Sequence, residues 1–169
     1  MPLARKIDDL GDGELLEVRV DDYGFTGEGY VRLEDGWLSI RGVLPGERVS
    51  VEVEPAGEFP SRRRWATLIE VLQPSPRRIP PHCDQDAICK GCQLRHASIQ
   101  EEAAYKERAI TEVLARYAQL PAEEQPPIEL IAPQPWSRGD AHRIRTTLTY
   151  RCDAPDRYEL GLNASASLP

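Results

Sequence analysis

Between residues 15 and 73, apolar and polar side chains alternate with the two-residue period of a strand buried on one face. Leu16, Val18 and Val20 fall on one side, with Glu17 and Arg19 on the other. The pattern returns as Val49, Val51 and Val53 against Ser50, Glu52 and Glu54. Three further runs, Tyr30 to Leu33, Trp37 to Ile40 and Trp65 to Leu72, are separated by Gly27, Gly29, Gly36, Gly42 and the Pro45-Gly46 pair.

Five short strands in so little chain predict a small β-barrel, because closure removes sheet edges. The five-stranded oligonucleotide-binding fold does this in a partly open form. Pro74, Pro76, Pro80 and Pro81 can continue neither a central strand nor a helix, so a stiff connector follows. Beyond it, Ser98 and Glu101 have capping-box spacing, and Ile99, Ala103, Ile110, Val113 and Leu114 recur at helical intervals, predicting one helix over about 98–117. Pro121 and Pro126-Pro127 end that pattern. Alternation resumes at Ile144, Thr146, Leu148 and Tyr150, and residues 158–162 are placed to pair back across a turn at 153–156. The reading is an α+β chain in three parts: a β-module at 10–73, a cysteine-rich segment with a helix at 74–120, and the incomplete start of an antiparallel β-domain at 121–169.

No apolar run approaches the roughly 20 residues that span a bilayer, and the N-terminus lacks the apolar centre of a signal peptide, so the chain reads as cytoplasmic. The net charge of -7 argues against a polyanionic partner until its distribution is considered. Residues 1–60 carry 6 basic against 14 acidic groups, whereas residues 61–116 carry 10 against 7. Eight of those ten cations are arginines, among them Arg62, Arg63, Arg64, Arg77 and Arg78. A guanidinium fork suits phosphate contact and base stacking, so these five are the candidate RNA-binding residues; the competing reading is solvated surface.

Cys83, Cys89 and Cys92 fall within ten residues, and the pair Cys89 and Cys92 is separated by Lys90-Gly91. In a reducing compartment such clustering points to metal ligation rather than disulfides. Thiolates serve both an iron–sulfur cluster and a structural zinc. A zinc site would recruit His82 or His96, a cluster another cysteine, and Cys152 is the one cysteine left.

The order of these features resembles the TRAM-containing RNA (uracil-5-)-methyltransferases, which make 5-methyluridine in ribosomal or transfer RNA. The resemblance covers about residues 15–162. Its carriers are the stretch from Gly27 to Val31, Leu44-Pro45-Gly46-Glu47-Arg48-Val49, the lead-in from Pro74 to Ile79, and the segment from Cys89 to His96. It implies a TRAM domain at 10–73, and a four-iron, four-sulfur cluster on Cys83, Cys89 and Cys92 in the second part. The family's fourth cysteine follows a glycine-containing strand. No cysteine follows Gly161 here, and Cys152 does not occupy the matching position. Lys90 and Ala141-His142 also depart from the family pattern. The partner implied is structured RNA, ribosomal ahead of transfer RNA. S-adenosylmethionine would enter only through a catalytic domain absent from these residues, lost by truncation or supplied by a separately encoded polypeptide; no catalytic residue is assigned, and the chain alone is expected to be inactive. Two rivals are a free-standing TRAM RNA-binding protein with a structural zinc and an iron–sulfur redox or sensing protein.

Overall fold

A computed structural model describes residues 5–58, 61–81 and 93–128 with their side chains, and the backbone of 149–154 and 157–161. The alternating region forms six strands: β1 (Leu15–Arg19), β2 (Asp22–Tyr23), β3 (Gly29–Arg32), β4 (Trp37–Ile40), β5 (Arg48–Val53) and β6 (Arg63–Gln73). They make one mixed sheet in the order β1-β5-β6-β4-β3-β2. All neighbours are antiparallel except β4 and β6, which run parallel. The count is six rather than the expected five because the first run breaks at Val20-Asp21. The Val20 N–H donates to the Glu47 carbonyl on the β5 side, and the Asp21 N–H donates to the Tyr30 carbonyl on the β3 side.

The alternation places the core as read. Val18, Val20, Val49, Val51 and Val53 are buried together with Leu38 and Ile40 from β4, while Glu17 and Glu52 face solvent. A 3-10 turn at Ile7–Asp9 adds Ile7 to this core, its N–H donating to Asp35 Oδ1 at 2.9 Å. Two glycines are required by geometry. A Cβ at Gly29 would stand 2.4 Å from Val43 Cγ2 and 2.8 Å from Val20 Cγ1, so β3 enters the core only without a side chain there. Gly46 has φ +84, and the Glu47 N–H closes the turn on the Leu44 carbonyl at 3.2 Å. That is the third position of a type II turn, which favours glycine.

The connector is folded back rather than extended. Its Arg78 N–H closes a turn on the Ser75 carbonyl, and Arg78 forms an isolated antiparallel bridge with Ala97. Helix α1 (Ile99–Arg116) starts as the spacing predicts, with Ser98 Oγ accepting the Glu101 N–H at 3.2 Å. The capping box is half formed. The Ser98 N–H donates to the Arg77 carbonyl instead, and the Glu101 carboxylate pairs with Arg77 at 2.8 Å. A second, smaller core of Tyr23, Leu44 and Ala97, backed by Leu94 and Tyr105, joins the sheet to this segment. Strands β7 (Thr149–Ala154) and β8 (Arg157–Gly161) pair as an antiparallel hairpin about the expected turn. The expected start of that strand at 144 lies outside the described residues. Among the described residues no helix is long and apolar enough to cross a membrane.

Candidate nucleic-acid interface and cysteine segment

The five arginines chosen from sequence divide into two kinds. Arg64 alternates inward on β6 and is buried. Its NH2 donates to Asp12 Oδ1 and to the Glu54 carbonyl, each at 2.7 Å, so it ties the N-terminal loop to the sheet. Arg78 reaches Glu47 from the connector through Nε and NH2, each at 2.6 Å, and donates to the Gly42 carbonyl at 2.8 Å. Both guanidiniums are therefore committed to internal partners. Arg62 is exposed and its side chain has no ion pair among the described residues. Arg77 is exposed but shared with Glu101, and Arg63 donates to the buried carboxylate of Glu28 at 2.6 Å while stacking on Trp65.

Glu47 is the fully buried anchor of this arrangement. Besides Arg78 it accepts the Leu44 N–H at 2.8 Å and the Ser75 N–H at 3.0 Å. Burial alone would raise its carboxyl pKa. The Arg78 hydrogen bonds and the Ser75 and Leu44 amides outweigh burial and hold it below the usual carboxylate range. One ionised side chain thus clamps the turn at 44–47 to the connector at 75–78.

The pairing of β3, β4 and β6 collects residues that the sequence reading did not group. Cross-strand partners share a face, so Arg32, Trp37 and Arg63 form one outward row, and Tyr30, Ser39 and Trp65 the next. Arg41 extends from the end of β4 and stacks on Trp65 at 3.9 Å; Arg63 does so at 4.0 Å. The period-two spacing of Arg32 and Tyr30, and of Trp37, Ser39 and Arg41, was visible in the sequence. The parallel β4–β6 register that sets them beside Arg63 and Trp65 was not.

Cys83, Cys89 and Cys92, and the candidate zinc ligand His82, lie outside the described residues. Cys152 lies on β7, paired with Tyr158. Among the described residues no group of three or more His, Cys, Asp or Glu side chains is placed to hold a metal. The flanks of the cysteine segment are described. The Ile79 N–H donates to the His96 carbonyl at 2.9 Å, next to the Arg78–Ala97 bridge, so the two ends of residues 79–96 are held together. His96 is buried with Nε2 3.3 Å from the Val43 carbonyl oxygen. Gln93 and Leu94 sit against Gly27, where a Cβ would lie 3.4 Å from Gln93 Oε1.

No family model matches the chain. Individual relatives do. The chain is 32% identical over 167 residues, 97% of its length, to the 23S rRNA (uracil(1939)-C(5))-methyltransferase RlmD of Chromohalobacter salexigens. It is 30% identical over 153 residues, 90% of its length, to the protein of the same name from Shewanella piezotolerans. By sequence the chain belongs to the RNA (uracil-C5)-methyltransferase family. An uncharacterised RNA methyltransferase of Thermosynechococcus vestitus is 32% identical over 126 residues, 73% of the chain. These matches occupy 32%, 32% and 27% of the three relatives, so the chain spans about a third of their length. In the structure the family-like stretches converge: the turn at 44–47 holds the connector, and the bend at Gly27, just ahead of β3, meets Gln93 and Leu94.

Proposed function

We propose that this chain is the RNA-binding and iron–sulfur region of an S-adenosylmethionine-dependent RNA (uracil-C5)-methyltransferase acting on ribosomal RNA. The observation that carries the proposal is the match to two rRNA uracil-C5-methyltransferases along 90% and 97% of the chain. In this reading the chain recognises RNA, and methyl transfer belongs to the portion of the relatives that the match does not reach.

The six-stranded sheet is proposed to close as an oligonucleotide-binding-type TRAM barrel. Its two end strands, β1 and β2, are consecutive parts of one segment, and that segment bonds to β5 through Val20 and to β3 through Asp21. RNA phosphates would meet Arg62 and Arg77, the two of the five predicted arginines that are exposed, while Arg63 is held on Glu28 and Arg64 and Arg78 hold the fold that presents them.

Cys83, Cys89 and Cys92 are proposed as thiolate ligands of a four-iron, four-sulfur cluster. The donor chemistry fits such a cluster, and the paired ends at Ile79 and His96 fit it too. Cys83 lies four residues after one anchor and Cys92 four before the other, each within roughly 15 Å of it at about 3.6 Å per residue. Anchored ends also reduce the loop-closure entropy of bringing three thiolates to one centre. When bound, the cluster would supply a rigid crosslink for this segment. Brown protein containing iron and acid-labile sulfide is expected from anaerobic purification; stoichiometric zinc without sulfide would replace the cluster with a structural zinc.

The RNA assignment is tested by titrating the anaerobically purified chain with protein-free 23S rRNA and with bulk transfer RNA at equal phosphate concentration. Tighter binding to 23S rRNA is expected. Equal affinity for both, or none for either, would overturn the proposal.

A further inference from the structure

Trp37 is an indole left 43% exposed at the centre of a row whose other two members are arginines. Among the described residues no guanidinium covers its ring, although two cover Trp65 and one approaches Tyr23. Exposed aromatic surface beside cations suits unpaired nucleic acid, whose bases present π-faces and whose backbone presents phosphates. A duplex hides those faces.

We infer that the outer face of β3, β4 and β6 is a binding site for unpaired RNA, with Trp37 stacking a base while Arg32 and Arg41 contact the flanking phosphates. This rests on the RNA-binding reading above and adds the form of RNA recognised and the residues that recognise it. The charge arrangement favours it. Arg63 is already neutralised by Glu28, at 2.6 Å, so it serves to orient the row. Arg32 and Arg41 are exposed, and neither has an ion pair among the described residues. Arg41 and Arg63 both lie on the Trp65 ring, so Trp65 is a positioning residue. It fixes two long side chains in place before the ligand arrives, which reduces the conformational entropy lost on binding. Tyr30, half-buried in the adjacent row across Ser39 from Trp65, widens the aromatic surface.

The site is tested with a mixed-sequence single-stranded octaribonucleotide and the same sequence locked in a hairpin duplex, each titrated against the full chain and its variants. The parent should bind the single strand more tightly than the duplex. Trp37→Leu should weaken single-strand binding about 5- to 150-fold, the range of one lost base stack, and leave duplex binding unchanged. Arg32→Ala and Arg41→Ala should each reduce the single-strand salt slope by about 0.7. Trp65→Phe, which keeps a ring under the two arginines, should retain more affinity than Trp65→Leu, with melting temperatures confirming that each variant is folded. A chain that binds 23S rRNA but shows no single-strand preference, or whose Trp37→Leu variant binds like the parent, would overturn this site and leave the RNA-binding reading standing. A chain that binds no RNA at all would overturn both.

Discussion

Replacing Glu47 with glutamine changes one buried oxygen to an amide and removes the charge that four hydrogen bonds converge on. The carboxylate accepts two bonds from Arg78 at 2.6 Å, one from the Leu44 N–H at 2.8 Å and one from the Ser75 N–H at 3.0 Å, with no exposure to water. The new NH2 group must face at least one of these donors, and Arg78 loses its counter-charge. Breaking a buried pair from one side costs about 3–5 kcal/mol. For a chain of this size, about 3 kcal/mol lowers the melting temperature by roughly 10 °C. Arg78→Ala should cost a similar amount, because it strands the carboxylate, and the double variant should be less destabilised than the sum of the two. The pH dependence has a definite sign. A carboxyl whose folded pKa is depressed contributes its full stabilisation above the unfolded value of about 4.3 and loses it as pH falls through the folded value. The gap between the parent and Glu47→Gln should therefore be widest near neutrality and close below about pH 4. Circular-dichroism melts of the three variants between pH 3 and 7 measure this. If both single variants melted within about 3 °C of the parent at pH 7, the clamp would not hold the turn to the connector as argued.

Gly29→Ala should destabilise the fold by about 1–3 kcal/mol in urea titration, because its Cβ would lie 2.4 Å from Val43 Cγ2 in a packed core. Ser98→Ala should cost about 1 kcal/mol through the lost cap to the Glu101 N–H, visible as reduced helical signal and melting temperature. Arg62→Ala should lower the RNA salt slope by about 0.7 with unchanged stability, whereas Arg64→Ala should destabilise the chain by about 1–3 kcal/mol, the pattern that separates a solvent-facing cation from an internal one. Serine at Cys83, Cys89 or Cys92 should each diminish bound iron and sulfide together in anaerobic protein; retention of both in all three variants would exclude these thiolates as ligands.

The parts of the fold legible in the sequence were those governed by local periodicity. Val49, Val51 and Val53 against Glu52 announce a half-buried strand, and Ser98 before Ile99 announces a helix start, because each signal depends on neighbours within a few residues. Strand β2 escaped because two residues, Asp22 and Tyr23, are too few to show a period, and its pairing depends on the bend at Val20-Asp21. Arginine runs were readable as charge but not as direction. Arg62, Arg63 and Arg64 are adjacent in sequence, yet strand alternation sends Arg64 inward to Asp12, 52 residues away. Arg78 likewise finds Glu47 across 31 residues. Glu47 itself gave no warning, since a glutamate after Pro-Gly ordinarily reads as an exposed turn residue. The outward row of Arg32, Trp37 and Arg63 depends on a parallel register between strands separated by β5, and that information belongs to the assembled sheet.

Under the proposed function, this chain serves the uracil-C5 methylation of ribosomal RNA. The most direct test of that role is nucleoside mass spectrometry of 23S rRNA from cells with the coding sequence intact, deleted, and restored in trans. Deletion should remove 5-methyluridine from one position of 23S rRNA, complementation should return it, and a variant lacking Cys83, Cys89 and Cys92 should fail to restore it. Unchanged 5-methyluridine at every position after deletion would contradict it.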